Sequence, residues 1–496
     1  MLKAVIGMLL EPQLNPQAET PIYRQIFSQI RAMIEAGALR DGEKLPATRE
    51  LAGRLGLNRT TVSAAYDLLE KEGFLQGHVG RGSFVRARRP DGAGLPWEEM
   101  LQPGGAPAAP EVRDGDVSFS NSRPSELLFP LDEFRATCRE VIDSEEAQSI
   151  LQLGSSAGYA PLRGYLLERA REEGPARASD DILITSGVQQ AFDLIQRVLV
   201  AGGETVLLED PVYSGLRNVF SRAGARVIGV PVGPGGIDLN SLERALQRER
   251  PRLLVLTPSY QNPTGATLSL EAREAIVAMT MRSGAILVEN DIYGALSYEG
   301  APPPTLKELE ANGDVVLLRS FSKLAFPGLR VGWMVGPRAL ISRLVEAKQY
   351  SDIHTDQLAQ AVLLRFALSG RLQAHRDRIR ASGRERLRAA LGACEEFLPE
   401  GTRFTRPGGG MNLWVRLPEP LDASELLPRA RRAGVSYLPG RHFAVSRVDN
   451  SSLRISFAHL PPDKIRGGLA ALGRVFQSEL DRLRDSPGIE AAPALV

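Results

Sequence analysis

Cysteine is nearly missing from this chain: two residues in 496. That excludes a disulfide framework and fits a reducing, cytoplasmic setting. Histidine is scarce as well. Five histidines, with no HExxH and no CxxC pattern, point away from a metal site. No apolar run approaches the roughly 18 residues of a membrane span. The first residues, MLKAVIGMLLEPQ, hold one lysine and a short apolar run that soon meets Glu11 and Pro12. They lack a small-residue cleavage site and do not read as a secretory signal. Neither sign of charge dominates, since 60 Lys/Arg stand against 59 Asp/Glu. What remains is ordinary for a soluble globular protein, 43% apolar and 24% charged. The length asks for two or three domains.

The even charge balance hides an asymmetry. Residues 21–89 carry 12 Lys/Arg and 7 Asp/Glu, while the chain from 90 onward is slightly acidic. A small basic module on a large acidic body is the footprint of a nucleic-acid reader at one end. Residues 86–116, RARRPDGAGLPWEEMLQPGGAPAAPEVRDGD, are rich in Pro, Gly and Ala and have no apolar period, so they read as a linker. The expected organisation is a DNA-binding domain at 1–85, the linker at 86–116, a large domain at 117–480 and a tail at 481–496. In the large domain, apolar runs such as DILIT, ETVLLED, RLLVLTP, AILVEND and DVVLLRSFS alternate with helical patterns. That alternation is the sign of a buried, mostly parallel sheet in an α/β fold.

The N-terminal segment PIYRQIFSQIRAMIEAG places Ile22, Ile26, Ile30 and Ile34 at four-residue steps, one face of a helix that Gly37 ends. A second helix follows over Ala47 to Leu55, with Gly56 as the turn. Asn58 can cap a third, whose Val62, Tyr66 and Leu69 face inward. Arg59, Thr60 and Ser63 lie near that helix's start on its outward face, where base edges are read in a major groove. FLQGHVGRGSFV then reads as two short strands about a Gly-rich tip, with His78 and Arg81 near phosphate or the minor groove. Through LPATRELA, LGLNRTTV, AYDLLEKEGF and GRGSFV, residues 21–85 resemble the winged helix-turn-helix of GntR-family regulators. The resemblance implies DNA contact through Arg49, Arg59, Thr60 and a wing around Gly80, Arg81 and Gly82. Ser63 stands where some relatives place a basic residue.

Lys323 carries the chemistry of the large domain, in SFSKLAFPGLRVG. It follows an apolar strand, so Ser-Phe-Ser-Lys comes off the carboxyl edge of the sheet, the usual ligand side. A lysine forming a Schiff base with pyridoxal 5'-phosphate needs a phosphate site beside it. Ser320 and Ser322 offer hydroxyls for that phosphate, and Arg330 offers two charge-assisted bonds. Further parts follow in chain order. In TSGVQQAF, the amides of Gly187, Val188 and Gln189 open a helix toward an anion. Tyr213 is an aromatic plate for a pyridine ring. Asn262, in QNPTG, is a donor to the ring hydroxyl oxygen; ENDIYG brings an acidic group and Tyr293; Arg454 can grip a carboxylate. In this order the motifs of residues 117–480 resemble the class I/II aminotransferases. With the GntR-like module they resemble MocR-type regulators. The resemblance implies the type I fold of pyridoxal phosphate enzymes, a smaller domain built from both chain ends, and a homodimer with sites at the interface.

Three residues depart from the family pattern. Leu153 stands where a tyrosine commonly reaches the partner subunit's cofactor, and the register does not make Tyr159 its replacement. Val188 replaces a hydroxyl residue beside the phosphate. At the ring nitrogen, where transamination needs a carboxylate, the Asp-x-x-Tyr spacing ends on Asn290, while a shorter spacing favours Asp291. The reading leans to Asp291 and keeps Asn290 as the alternative. The function expected from these residues is a DNA-binding regulator that senses a small amino compound, with a carboxylate, by aldimine exchange at Lys323. An active aminotransferase, and a regulator sensing pyridoxal phosphate itself, stand as alternatives.

Overall fold

The computed structural model describes residues 14–78, 82–86, 97, 115–301 and 303–485. The chain divides into two compact units, Met1–Ala109 and Pro110–Val496. Most of the expected linker and the end of the tail lie outside the described residues. Among the described residues no helix is long and apolar enough to cross a membrane.

The first unit is built on three helices. Helix α1, Ile22–Glu35, buries Ile26, Ile30 and Ile34, while Ile22 at its start is only half-buried. Helix α2, Thr48–Leu55, starts one residue later than expected because Ala47 is in extended backbone. Gly56 ends it in the left-handed region, φ 62°, where glycine avoids the Cβ clash. Helix α3, Arg59–Lys71, is capped by Asn58, whose side chain accepts from the Thr60 amide at 3.1 Å. Val62, Tyr66 and Leu69 are buried, and the Tyr66 hydroxyl donates to the Pro46 carbonyl at 2.9 Å. Strands β1, Leu75–His78, and β2, Gly82–Val85, pair antiparallel with His78 opposite Gly82. The unit is a winged helix-turn-helix.

The second unit carries β3 (Val117–Ser118), β4 (Asp180–Thr185), β5 (Thr205–Asp210), β6 (Arg226–Gly233), β7 (Gly236–Ile237) and β8 (Leu253–Leu256). It continues with β9 (Ile286–Asn290), β10 (Val316–Ser320) and β11 (Gly332–Pro337). Strands β4 to β11 form one sheet in the order β4-β11-β10-β9-β8-β5-β6-β7. It is parallel from β10 through β6, and only β11 and β7 run against their neighbours.

The alternation along these strands positions the site. On one face Leu183, Val206, Leu208, Val255, Val288 and Leu318 pack on Phe192 and Ile195 of helix Val188–Leu199. On the other face Ile182, Ile184 and Leu317 meet Leu162 and Leu166 of helix Ala160–Glu172. Carried to the strand ends, the first face receives Thr257, Asn290 and Ser320. The second receives Glu289, Asp291 and Arg319.

A smaller layer follows: β12 (Arg403–Phe404), β13 (Asn412–Arg416), β14 (Val435–Ser436), β15 (Leu438–Pro439) and β16 (Ser452–Ser456). Its sheet runs β12-β13-β16-β15. The β3–β14 pairing draws the start of this unit into a core shared with its C-terminal elements, where Phe119, Leu413, Ile455, Leu469 and Phe476 are buried. Helix Pro462–Asp485 runs past the boundary expected at 480, because Leu480 and Leu483 still pack on this core.

Candidate functional site

Strand β10 ends at Ser320, and one turn of 3-10 helix, Phe321–Lys323, lifts the lysine off the carboxyl edge of the sheet. Ser320 caps that turn: its hydroxyl accepts from the Ser322 amide at 3.0 Å and donates to the Val331 carbonyl at 3.1 Å. Lys323 Nζ donates to the Ser122 carbonyl at 2.6 Å and lies 5.7 Å from the centre of the Tyr293 ring. The Tyr293 hydroxyl is 3.5 Å from Ser122 Oγ. Arg330, in left-handed backbone at φ 54°, donates to Ser322 Oγ at 3.3 Å and to the Ser186 carbonyl at 3.4 Å. Helix Val188–Leu199 starts directly after Gly187, with no side-chain cap on its amides. A Cβ on Gly187 would sit 2.3 Å from Arg330 Nη2. Ser320, Ser322, Arg330 and the helix start therefore form one anion cradle beside the lysine. Val188 contributes backbone there, not a hydroxyl.

Asp291, to which the sequence reading leans for the ring nitrogen, lies on the other face of the sheet from the cradle. Its carboxylate points to the second face, where Oδ2 accepts from Arg319 Nε at 2.9 Å; Arg319 also pairs with Glu173 at 3.2 Å. There Asp291 lines a cavity of about 610 Å³ together with Arg319, Glu173, Phe321 and Trp333. Asn290 shares the first face with the cradle. Its Nδ2 donates to Thr257 Oγ1 at 3.1 Å, and its Oδ1 is buried with no partner among the described residues.

Arg454, on β16, is almost fully buried and lies over the Phe443 ring at 5.0 Å. Nη1 donates to Asn262 Oδ1 at 3.0 Å, Nη2 donates to the Ser120 carbonyl, and Nε has no partner among the described residues. Burial pulls its pKa down to about 10, opposed by Tyr293 and Tyr213. The contacts found for this buried cation among the described residues are two neutral oxygens and the Phe443 ring, with no carboxylate paired to it. Asn262 accepts through Oδ1, which leaves its amide nitrogen as the donor end. Tyr213 stands half-exposed before helix Ser214–Arg222, and the Gln189 side chain reaches across to the Gly215 carbonyl at 3.2 Å. Leu153 is exposed, 74% of its surface open, and Tyr159 turns to Glu146 at 3.2 Å.

These residues fit the group that the resemblance implies. Lys323 supplies an amine, the Gly187 turn a cradle that a Cβ would fill, and Asn290 Oδ1 a buried acceptor awaiting a donor. Sequence reasoning missed Ser122, which holds the lysine, Thr257, which orients Asn290, and Phe443 beneath Arg454. Ser122 and Phe443 sit outside the regular strands and carry no periodic signal. Thr257 lies two residues after Val255 and was open to the alternation rule. No group of three or more His, Cys, Asp or Glu placed to hold a metal occurs among the described residues.

In the first unit Arg49, Arg59 and Thr60 are exposed and Ser63 is half-buried. Thr60 Oγ1 donates to Asn58 Oδ1 at 3.0 Å, so the cap and the outward face share a residue. Backbone places His78 at the end of β1, while Gly80 and Arg81 lie outside the described residues.

Residues 125–472 match the family model "Aminotransferase class I and II", and residues 22–85 match "Bacterial regulatory proteins, gntR family". A 2-aminoadipate transaminase of Thermus thermophilus is 38% identical over 74% of this chain and 92% of its own length. Among the relatives that match nearly end to end are two regulators. The HTH-type transcriptional regulator YdfD of Bacillus subtilis is 30% identical over 95% of this chain and 99% of its own. The probable rhizopine catabolism regulatory protein MocR of Rhizobium meliloti is 29% identical over 93% and 95%. The crystal structure of LysN, the α-aminoadipate aminotransferase of Thermus thermophilus, complexed with N-(5'-phosphopyridoxyl)-L-leucine, superposes with a TM-score of 0.72 at 37% identity. It covers 78% of this chain and all of LysN.

Proposed function

We propose, since this chain belongs to the class I and II aminotransferase family and carries a gntR-family reader on the same polypeptide, that it is a DNA-binding transcription regulator whose Lys323 pocket senses a small amino compound. The observation that carries this reading is the end-to-end match to regulators of the same two-part build. Fold alone would not give it. Pyridoxal phosphate, when bound, supplies an aldehyde that condenses with amines and a ring that draws electrons from them.

The chain's own residues divide the remaining work. Ser320, Ser322, Arg330 and the amides after Gly187 hold the phosphate. Tyr213 stacks on the ring, and Asn262 and Tyr293 meet its hydroxyl oxygen. Lys323 would hold the group through its aldehyde, at the point where an incoming amine would compete for it. Arg454 takes the carboxylate of that amino compound; its hydrogen-bond partners among the described residues are neutral oxygens. Two chains form a homodimer, with the exposed Leu153 segment at the interface. Arg49, Arg59, Thr60, Ser63, His78 and the wing with Gly80 and Arg81 meet DNA. Occupancy of the pocket acts on DNA only by favouring one arrangement of the dimer over another.

A working aminotransferase is the second reading, favoured by the 38% identity to a transaminase and by Arg454. The visible absorption spectrum of the cofactor-loaded full chain separates the two, recorded with a panel of amino acids beside Lys323→Ala. A Lys323-dependent band that an amino acid shifts and that then stays shifted supports the sensor. Full conversion to the pyridoxamine form, reversed by a 2-oxo acid, supports the enzyme. No band at all overturns both.

A further inference from the structure

Resting on the sensor reading, we infer that Asn290 is the group at the ring nitrogen of the bound cofactor, and that its neutral amide lets amines exchange at Lys323 while stalling turnover.

The placement follows from the sheet. Asn290 is two residues beyond Val288, whose side chain packs on the face covered by helix Val188–Leu199, the helix that opens the cradle. Its amide is oriented by the Thr257 hydroxyl at 3.1 Å, which leaves Oδ1 buried and unpartnered among the described residues. Such an atom is costly unless a ligand pairs it.

The neighbouring carboxylates are engaged elsewhere. Asp291 is on the opposite face, held by Arg319, itself held by Glu173. Glu209 and Glu289 point to that face too: Glu209 accepts from the Thr257 amide at 3.1 Å, Glu289 from the Lys307 amide at 3.0 Å. Asp210, at the edge of β5, is tied to the amides of Val445, Ser446 and Arg447 at 3.0, 2.9 and 3.1 Å. Each of these four acids is thus held by other partners.

The chemistry follows from charge. Exchange of one amine for another at Lys323 needs no electron sink. Turnover does. With the group bound, breaking the bond between the amino compound's α-carbon and its hydrogen would hand the proton to Lys323 Nζ and would need the ring, through its nitrogen, to take up the electron pair left behind. A carboxylate there meets the nitrogen's proton as an ion pair, a stronger bond than the neutral oxygen of an amide can make. Asn290 therefore leaves the nitrogen protonated about tenfold less often than an aspartate would.

The test loads the full chain with pyridoxal phosphate labelled with nitrogen-15 in the ring and reads that nitrogen by NMR. Wild type, Asn290→Asp and Asp291→Asn are compared, and each is then followed to the pyridoxamine form after addition of an amino acid that shifts the visible band. The expected result is a ring nitrogen that gives up its proton about one pH unit lower in wild type and in D291N than in N290D, and conversion about tenfold faster in N290D. A nitrogen that titrates alike in wild type and N290D, or one that responds to D291N and not to N290D, overturns the inference and leaves the sensor reading intact. Should N290D fail to fold, the wild-type and D291N spectra decide alone. Failure of all three chains to show a Lys323-dependent band removes the sensor reading together with this inference.

Discussion

A single methyl group at Gly187 probes the anion cradle. Gly187 has φ 78° and ψ 172°, a backbone region essentially reserved for glycine. Alanine there costs on the order of 1–3 kcal/mol in strain. The new Cβ would also lie 2.3 Å from Arg330 Nη2 and 2.9 Å from Arg330 Cζ. Comfortable contact begins at about 3.5 Å, so the guanidinium must retreat by about 1 Å or more. It can do so, since its bonds to Ser322 and Ser186 are long, 3.3 and 3.4 Å. The retreat takes a charged donor away from the phosphate, and a hydrogen bond of that kind contributes about 1.5–3 kcal/mol. Gly187→Ala is therefore expected to weaken pyridoxal phosphate binding roughly 10- to 100-fold, read by spectral titration of the full chain. Gly284→Ala is the control: φ is 71°, and nothing lies within 4 Å of its Cβ position. It should cost about 1 kcal/mol of stability and leave cofactor affinity unchanged. A folded G187A protein that binds the cofactor as tightly as wild type would refute the cradle.

Three further outcomes are expected. His375 is fully buried, stacked on Phe326 at 6.1 Å, with both ring nitrogens unpartnered among the described residues. Burial, helped by Arg378 and opposed by Glu133, lowers its pKa from 6.5 to about 4. The unfolded chain thus takes the proton first, and stability present above pH 6.5 is lost as pH falls toward 4. The melting temperature of His375→Phe should gain on wild type across that window, equivalent to at most about 3 kcal/mol, and parallel curves would contradict this. Lys307 and Asp180 form an ion pair at 3.1 Å with neither side chain exposed. Lys307→Met strands the carboxylate and should cost about 3–5 kcal/mol in urea unfolding, with part recovered by adding Asp180→Asn. Affinity for a specific promoter fragment should fall steeply with salt. Arg59→Ala should cost about 1–3 kcal/mol on that site and little on unrelated DNA, and an equal loss on both would place Arg59 on the backbone instead.

Much of this was legible in the sequence because it is local or periodic. Four-residue steps mark Ile26, Ile30 and Ile34, Asn58 sits one residue before its helix, and the apolar runs of the large domain are the strands of its sheet. The site was legible as an order of motifs, since Lys323, Arg330, Asn262 and Arg454 each sit in a recognisable stretch. What escaped was side-chain direction. Whether Asn290 or Asp291 meets the cradle depends on which face carries helix Val188–Leu199, a tertiary fact absent from ENDIYG itself. The boundary at 480 falls inside the last helix for a similar reason: Leu480 and Leu483 are held by partners far away in the chain.

Coupling between the Lys323 pocket and the DNA reader is tested most directly by one binding experiment. The affinity of the cofactor-loaded full chain for the DNA flanking its own coding sequence is measured against rising concentrations of an amino acid that shifts the visible band, with Lys323→Ala beside it. The regulator predicts a change of at least about fivefold in the wild type, half-complete at the concentration that half-shifts the band, and none in Lys323→Ala. A band that shifts fully while DNA affinity stays constant would contradict it.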